Sequence, residues 1–187
     1  DFSTPNASSN VLRPEGHAFG SKSAVWLGGG KQLITSGGDD TACIWDHERM
    51  VQSEVLGGTG SRGVVAASLW TKGEPQVLLT GSSQAGSLGS IWVESQSGFV
   101  RVPVPRANQL RCDATCLAIS EDATQIAIGD DQGDLHLYRF DRTRLECEYK
   151  STWSLSNSGI VDLYFVDGDK SVLVATEDGI IQKRNFS

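Results

Sequence analysis

Four short runs of strand-forming residues end at nearly constant intervals along this chain, and no other feature restricts its fold as much. Cys43-Ile44-Trp45, Ser90-Ile91-Trp92, Leu135-His136-Leu137-Tyr138 and Ile180-Ile181-Gln182-Lys183-Arg184 close 47, 46 and 46 positions apart. Each follows an apolar run and a small or acidic turn: LITSGGDD (33–40), VLLTGSSQAG (77–86), IAIGDDQG (126–133) and VLVATEDG (172–179). Apolar, β-branched runs broken by Gly, Ser and Asp are the pattern of β-hairpins. A third run with a polar turn stands before each hairpin: AVWLGGGK (24–31), AASLWTKGEP (66–75), CLAISEDAT (116–124) and LYFVDGDK (163–170). One more short strand, near 11–13, 51–56, 99–104 and 148–155, separates the units. Four strands recurring at such a period point to a stacked repeat architecture. No stretch keeps a 3.6-residue apolar period for three turns, so helix should be minimal.

The best-formed unit contains LITSGGDDTACIWD (33–46), whose two strands are apolar on both faces and should be covered on both sides. Residues 1–10, polar and Ser-rich, read as a disordered lead-in or linker. The repeat then divides the chain into approximate units 11–46, 47–93, 94–139 and 140–187.

This arrangement resembles the WD-repeat β-propeller family, most closely in the first unit. There Gly16-His17 and Trp45-Asp46 supply the two bracketing dipeptides, and Gly30-Lys31, Leu33 and the turn 35–41 fall at the family's usual offsets. Unit two keeps Trp92 but lacks Gly-His and the turn Asp. Unit three has Gln132-Gly133 where Asp-Gly is usual and ends at Tyr138, and unit four keeps Asp178-Gly179 but ends at Arg184. The resemblance implies an all-β fold: a partial propeller of four blades, each a sheet of four antiparallel strands. Propellers of this family usually close with about seven blades, so further blades are expected outside residues 1–187. Val11–Pro14 would then be the closing strand added to the sheet formed by Ile160–Arg184.

The same resemblance assigns His17, Thr35, Asp39 and Trp45 to a structural tetrad. His17 would bond Asp39 through one ring nitrogen and Thr35 through the other, with the Thr35 hydroxyl accepting from the Trp45 indole. Such a set satisfies its own donors and locks the turns of a blade. A catalytic triad would also need an exposed nucleophile and an oxyanion site, and neither is apparent. Gly58-Thr59-Gly60-Ser61-Arg62-Gly63 matches the dinucleotide fingerprint, but a strand-like run stands after it where that chemistry requires a helix. Cys112 and Cys116 lie four apart, with no second Cys or His pair at zinc-site spacing and no His nearby in sequence. The Asp-rich turns around 130–134 and 167–169 lack the Gly and Glu of a calcium loop. No catalytic residue, metal or cofactor is therefore assigned.

With 23 acidic against 16 basic residues the net charge is −7, which disfavours a nucleic-acid-binding surface. No apolar run reaches the ~18 residues that cross a bilayer, so no membrane insertion is expected. Four cysteines, three of them in strand-like runs, suit a reduced, intracellular setting. Within this acidic chain, residues 98–112 hold Arg101, Arg106 and Arg111 and no acid. Arg106 and Arg111, with Arg62 and Gln84 on the same rim of the propeller frame, are candidates to bind an acidic segment of a protein partner. The function expected is a non-catalytic protein–protein interaction scaffold or substrate receptor within an assembly. The W-D-x-R motif linked to ubiquitin-ligase receptors is not met, since Glu48 comes after Trp45-Asp46-His47. The competing expectation is a propeller hydrolase, glycosidase-like, with paired carboxylates at the central channel.

Overall fold

Short apolar runs separated by tight polar turns leave each strand only its sequence neighbours to pair with. The computed structural model, which describes residues 17–27, 30–39, 41–57, 66–69, 76–81, 87–105 and 112–186, accordingly consists of consecutive antiparallel sheets. The first contains β1 (Ser21–Leu27), β2 (Gln32–Gly37), β3 (Thr41–Asp46) and β4 (Val51–Gly57). The second contains β5 (Ala66–Leu69), β6 (Val77–Gly81), β7 (Ser87–Ser95) and β8 (Gly98–Pro105). The third contains β9 (Ala114–Ile119), β10 (Gln125–Asp130), β11 (Asp134–Asp141) and β12 (Glu146–Ser154). The fourth has three strands among the described residues: β13 (Ile160–Val166), β14 (Ser171–Thr176) and β15 (Ile181–Asn185). Strand order follows chain order throughout, and no α-helix occurs among the described residues. The chain is all-β, a four-bladed segment of a β-propeller.

One detail changes the expected division of the chain into blades. The strand that opens each sequence unit is hydrogen-bonded to the sheet before it: β4 pairs with β3, β8 with β7 and β12 with β11. Unit and blade are thus offset by one strand. The fourth blade has three strands among the described residues; the run near 11–13, expected to complete it, lies outside them, as does the lead-in 1–10. The glycine-rich stretch 58–63 also lies outside them. The first described element after it is strand β5, paired with β6, where the dinucleotide fingerprint would require a helix.

The repetition extends to irregularities that composition does not show. Register slips between Ile44 and Trp45 in the β3–β4 pair, and again between Leu137 and Tyr138 in β11–β12. It slips at Ser21/Ser23 and at the corresponding Ile160/Asp162. In blades one, three and four the turn of the β2-type hairpin is tied to the loop before the first strand by one backbone bond. These are Gly38 N–H to Gly20 O (3.2 Å), Asp131 N–H to Asp113 O (3.1 Å) and Glu177 N–H to Gly159 O (2.9 Å).

Sheets stack face to face and bury three apolar layers. Leu27, Ile34, Ile44 and Leu56 of blade one meet Leu78 and Trp92 of blade two. Leu79, Ile91, Val102 and Val104 of blade two meet Leu117, Ile126, Tyr138 and Phe140 of blade three. Ala127, Leu135 and Leu137 of blade three meet Leu163, Val172 and Val174 of blade four. The stack then stops. On the outer face of blade four the cross-strand row Tyr164–Leu173–Lys183 is open to solvent, as is Ile181 beside it. At the other end Trp26 and Val55 of blade one are exposed. A ring closed on itself would cover both faces, so the four blades form an open arc.

Candidate functional site

Blade one carries the most elaborate polar set. The Trp45 indole N–H donates to Thr35 Oγ1 at 2.8 Å, and Thr35 Oγ1 lies 2.9 Å from His17 Nε2. His17 Nδ1 stands 3.0 Å from Asp39 Oδ1. These contacts fix one consistent proton assignment: Thr35 O–H donates to Nε2, so Nδ1 carries the ring proton and donates to the carboxylate. Asp39 also accepts from the Thr41 hydroxyl at 2.7 Å and from the Ala18 N–H at 2.8 Å. The imidazole lies against Gly37, where an added Cβ would overlap the ring, so the glycine of LITSGG is dictated by this contact. The structure therefore brings His17, Thr35, Asp39 and Trp45 together in one chain of hydrogen bonds.

Burial by itself would raise the Asp39 carboxyl, but the Thr41 hydroxyl, the Ala18 N–H and His17 outweigh it and hold the group at about 2, against 3.8. The folded value lies below the unfolded one, so this stabilisation is complete above about pH 4 and disappears as pH falls through about 2. It amounts to at most about 2 kcal/mol, and solvent screening at the turn reduces it. We expect His17→Ala to lower stability by roughly 1–3 kcal/mol, since it takes a partner from both the Thr35 hydroxyl and the Asp39 carboxylate. The variant should also lose part of the acid-dependent step, read by urea unfolding at pH 7 and pH 3. Wild-type stability at pH 7 would contradict a bracing role for the set.

The other blades hold remnants of this arrangement. In blade two, register places Thr80 at the Thr35 position, and the Trp92 indole N–H donates to Thr80 Oγ1 at 3.0 Å. Arg101 lies over the Trp92 ring, 5.7 Å from its centre. In blade four, Ser156 occupies the place of His17 and donates to Asp178 Oδ2 at 2.9 Å. Sequence reasoning missed Thr80, although LLT before the turn and a Trp after it repeat the LIT…W signal of blade one.

Blade three is rewired. Register puts Ile128, which offers no hydroxyl, at the Thr35 position, Asp130 at Gly37 and His136 at Cys43. The Asp130 carboxylate thus takes up space like that filled in blade one by an imidazole from a loop. His136 Nε2 donates to Asp130 Oδ2 at 2.8 Å, while Nδ1 lies 2.9 Å from Thr152 Oγ1. Asp130 Oδ1 accepts the backbone N–H groups of Gln132 (3.0 Å) and Asp134 (2.9 Å). Burial raises the Asp130 carboxyl, and the His136 bond, the Asp134 N–H and the Cys112 thiol together bring it below the ordinary range. Cys112, Asp130 and His136 are all buried, with their donor atoms within 4.8 Å of one another. Sequence spacing had separated Cys112 from every histidine. The fold joins it to His136, 24 residues away, and leaves Cys116 elsewhere, its thiol facing Ile160 and pushed up to about 12 by burial.

Arg62, Gln84, Arg106 and Arg111, expected at a partner-binding rim, lie outside the described residues. A cleft of about 770 Å³ runs between β9, β13 and the turn 167–169, and Val25 also lines it. It presents Asp162, Asp167 and Asp169. Lys183 and Ser171 hydrogen-bond Asp167 and lower its carboxyl pKa.

Comparison with known proteins places the chain by architecture alone. A chain in a structure described as "Crystal Structure of Mitotic Checkpoint Complex" superposes with a TM-score of 0.71 at 17% sequence identity. The match covers 91% of this chain and 50% of that one, so this chain spans about half the length of the protein it resembles. In all, 963 solved chains match, which marks the architecture as a widely shared one and identifies nothing narrower. No family model matches the sequence, and no curated protein does.

Proposed function

We propose that this chain is part of a protein–protein interaction platform, a scaffold or substrate receptor within a multiprotein assembly, with no chemistry of its own. The observation that carries this reading is the pair of uncovered blade faces: Ile181 is 72% exposed, Tyr164 59% and Trp26 54%. Large apolar side chains left open on a sheet face mark a place where protein packs. Further blades, from the same polypeptide or from a partner, are the natural cover for both faces. The half-length match to a longer propeller chain supports the same reading. Stacked sheets give a rigid body, and the loops at their rims vary without disturbing it, which suits recognition.

The polar sets support a non-catalytic role. Each member of the His17 set donates to or accepts from another member, and the Trp45 indole ties the Thr35 hydroxyl into the same chain, which suits a brace between turns. A glycosidase-like site at the channel would need a carboxylic acid held protonated by its surroundings. Among the described residues every carboxylate with a displaced pKa is displaced downward, Asp39, Asp130 and Asp167 included.

The partner on the loop rim is proposed to be an acidic protein segment, met by Arg62, Gln84, Arg106 and Arg111. Charge reversal at Arg106 and Arg111 together should weaken a cognate acidic partner at least tenfold, with the loss growing at low salt. Binding isotherms of each captured partner read this directly. Affinities unchanged for every partner would overturn the rim assignment.

A further inference from the structure

We propose that Cys112, Asp130 and His136 of blade three form a binding site for a zinc-class divalent cation. The three side chains offer a thiol sulfur, a carboxylate oxygen and an imidazole nitrogen, a donor set suited to Zn²⁺ and poorly suited to the hard cations Ca²⁺ and Mg²⁺. Their exposures are 5%, 1% and 5%, so the donors are fixed by packing rather than free on the surface. Zinc bond lengths place tetrahedral ligand atoms about 3.3–3.7 Å apart. The donors here span 2.8 Å, between Asp130 Oδ2 and His136 Nε2, up to at most 4.8 Å, so small side-chain adjustments meet that spacing.

The groups around the trio are those that a metal site requires of its outer partners. Two backbone N–H groups grip Asp130 Oδ1, which leaves Oδ2 directed at the other donors. Thr152 Oγ1 lies against His136 Nδ1, and the Tyr149 hydroxyl donates to that same oxygen at 3.2 Å. This pair sets the ring so that Nε2 faces the cluster. When the cation binds, the imidazole keeps one proton by shifting it from Nε2 to Nδ1, where Thr152 Oγ1 accepts it. The Cys112 thiol releases its proton to solvent.

Charge favours occupancy. A divalent cation held by one thiolate and one carboxylate has its charge balanced by its own ligands, so the filled site buries no excess charge. Blade one, with the same backbone frame, has no thiol or carboxylate at the positions of Cys112 and Asp130, which are Phe19 and Gly37 there. Its hydrogen-bonded brace therefore has no such site. Three protein donors leave a fourth position for water.

The chain, stripped with a chelator and titrated with Co²⁺, should bind one equivalent. It should then show the thiolate-to-cobalt charge-transfer band and the strong visible bands of a tetrahedral ion, both abolished by added Zn²⁺. Cys112→Ser should lose the charge-transfer band and Cys116→Ser should retain it. Zinc should raise Tm, and chelator should reverse the rise. Should Cys112→Ser fail to fold, as judged by circular dichroism, X-ray absorption of the zinc-loaded unmodified chain decides, with one sulfur at about 2.3 Å expected in the first shell. A chain that binds no cobalt, a band that survives in Cys112→Ser, or a first shell without a single sulfur would overturn the proposal and leave the trio a hydrogen-bonded brace.

Discussion

Phe140→Ala should lower the stability of this chain by about 3–5 kcal/mol. Phe140 is 1% exposed, near the end of β11, and fills the layer between blades two and three with Leu79, Val102, Val104 and Ile126. Truncation removes the transfer energy of a ring and leaves a cavity that rigid sheets on both sides collapse into poorly. In a chain of this size each kcal/mol shifts Tm by roughly 2–4 °C, so a drop on the order of 10 °C is expected in thermal unfolding followed by circular dichroism. A loss below about 1 kcal/mol would mean that the two blades do not pack as described.

His136→Leu, measured with chelator present, should cost about as much, roughly 3–5 kcal/mol, for a different reason. The substitution conserves bulk but takes the Nε2–H from Asp130, which is 1% exposed. Two backbone N–H groups and the Cys112 thiol must then hold a buried carboxylate with no imidazole beside it. Replacing Asp130 by Asn in the same chain should recover much of the loss, because a neutral amide needs no counter-charge. The double-mutant cycle in urea is the check, with a coupling of at least about 1.5 kcal/mol expected. Additive single effects would show that Asp130 and His136 do not act as one unit.

The spacing of hairpin ends made the architecture legible, because four strands of similar length must end at similar intervals when each pairs with its neighbour in the chain. Trp45 and Trp92 stood out for the same reason. Each lies in the second strand of a hairpin and needs an acceptor for its indole N–H, which a threonine two positions before the end of the preceding strand, or one before it, provides. The blade boundaries were less legible. Nothing in VQSEVLG (51–57) tells which sheet it joins, since hydrogen bonds on either side would satisfy its backbone equally. The Cys112–Asp130–His136 set was not legible at all. Its members sit on three separate segments at spacings with no motif, and only the register of β10 against β11 and the path of the chain before β9 bring them together. The third blade keeps the frame of the first while its side chains are exchanged, and motif reading follows side chains.

The open arc is tested most directly by the reactivity of thiols placed on its terminal faces. Tyr164→Cys and Ile181→Cys variants of the 187-residue chain, monomeric by sedimentation, would be labelled with a maleimide beside the native buried Cys43 and Cys116. Four blades that stop short of a ring leave both introduced thiols reacting within about tenfold of an unstructured peptide thiol, while the native two are protected by the local opening of a packed sheet. Protection of Cys at 164 and 181 equal to that of Cys43 in the monomer would show the blades closed upon themselves and would contradict the platform with uncovered faces.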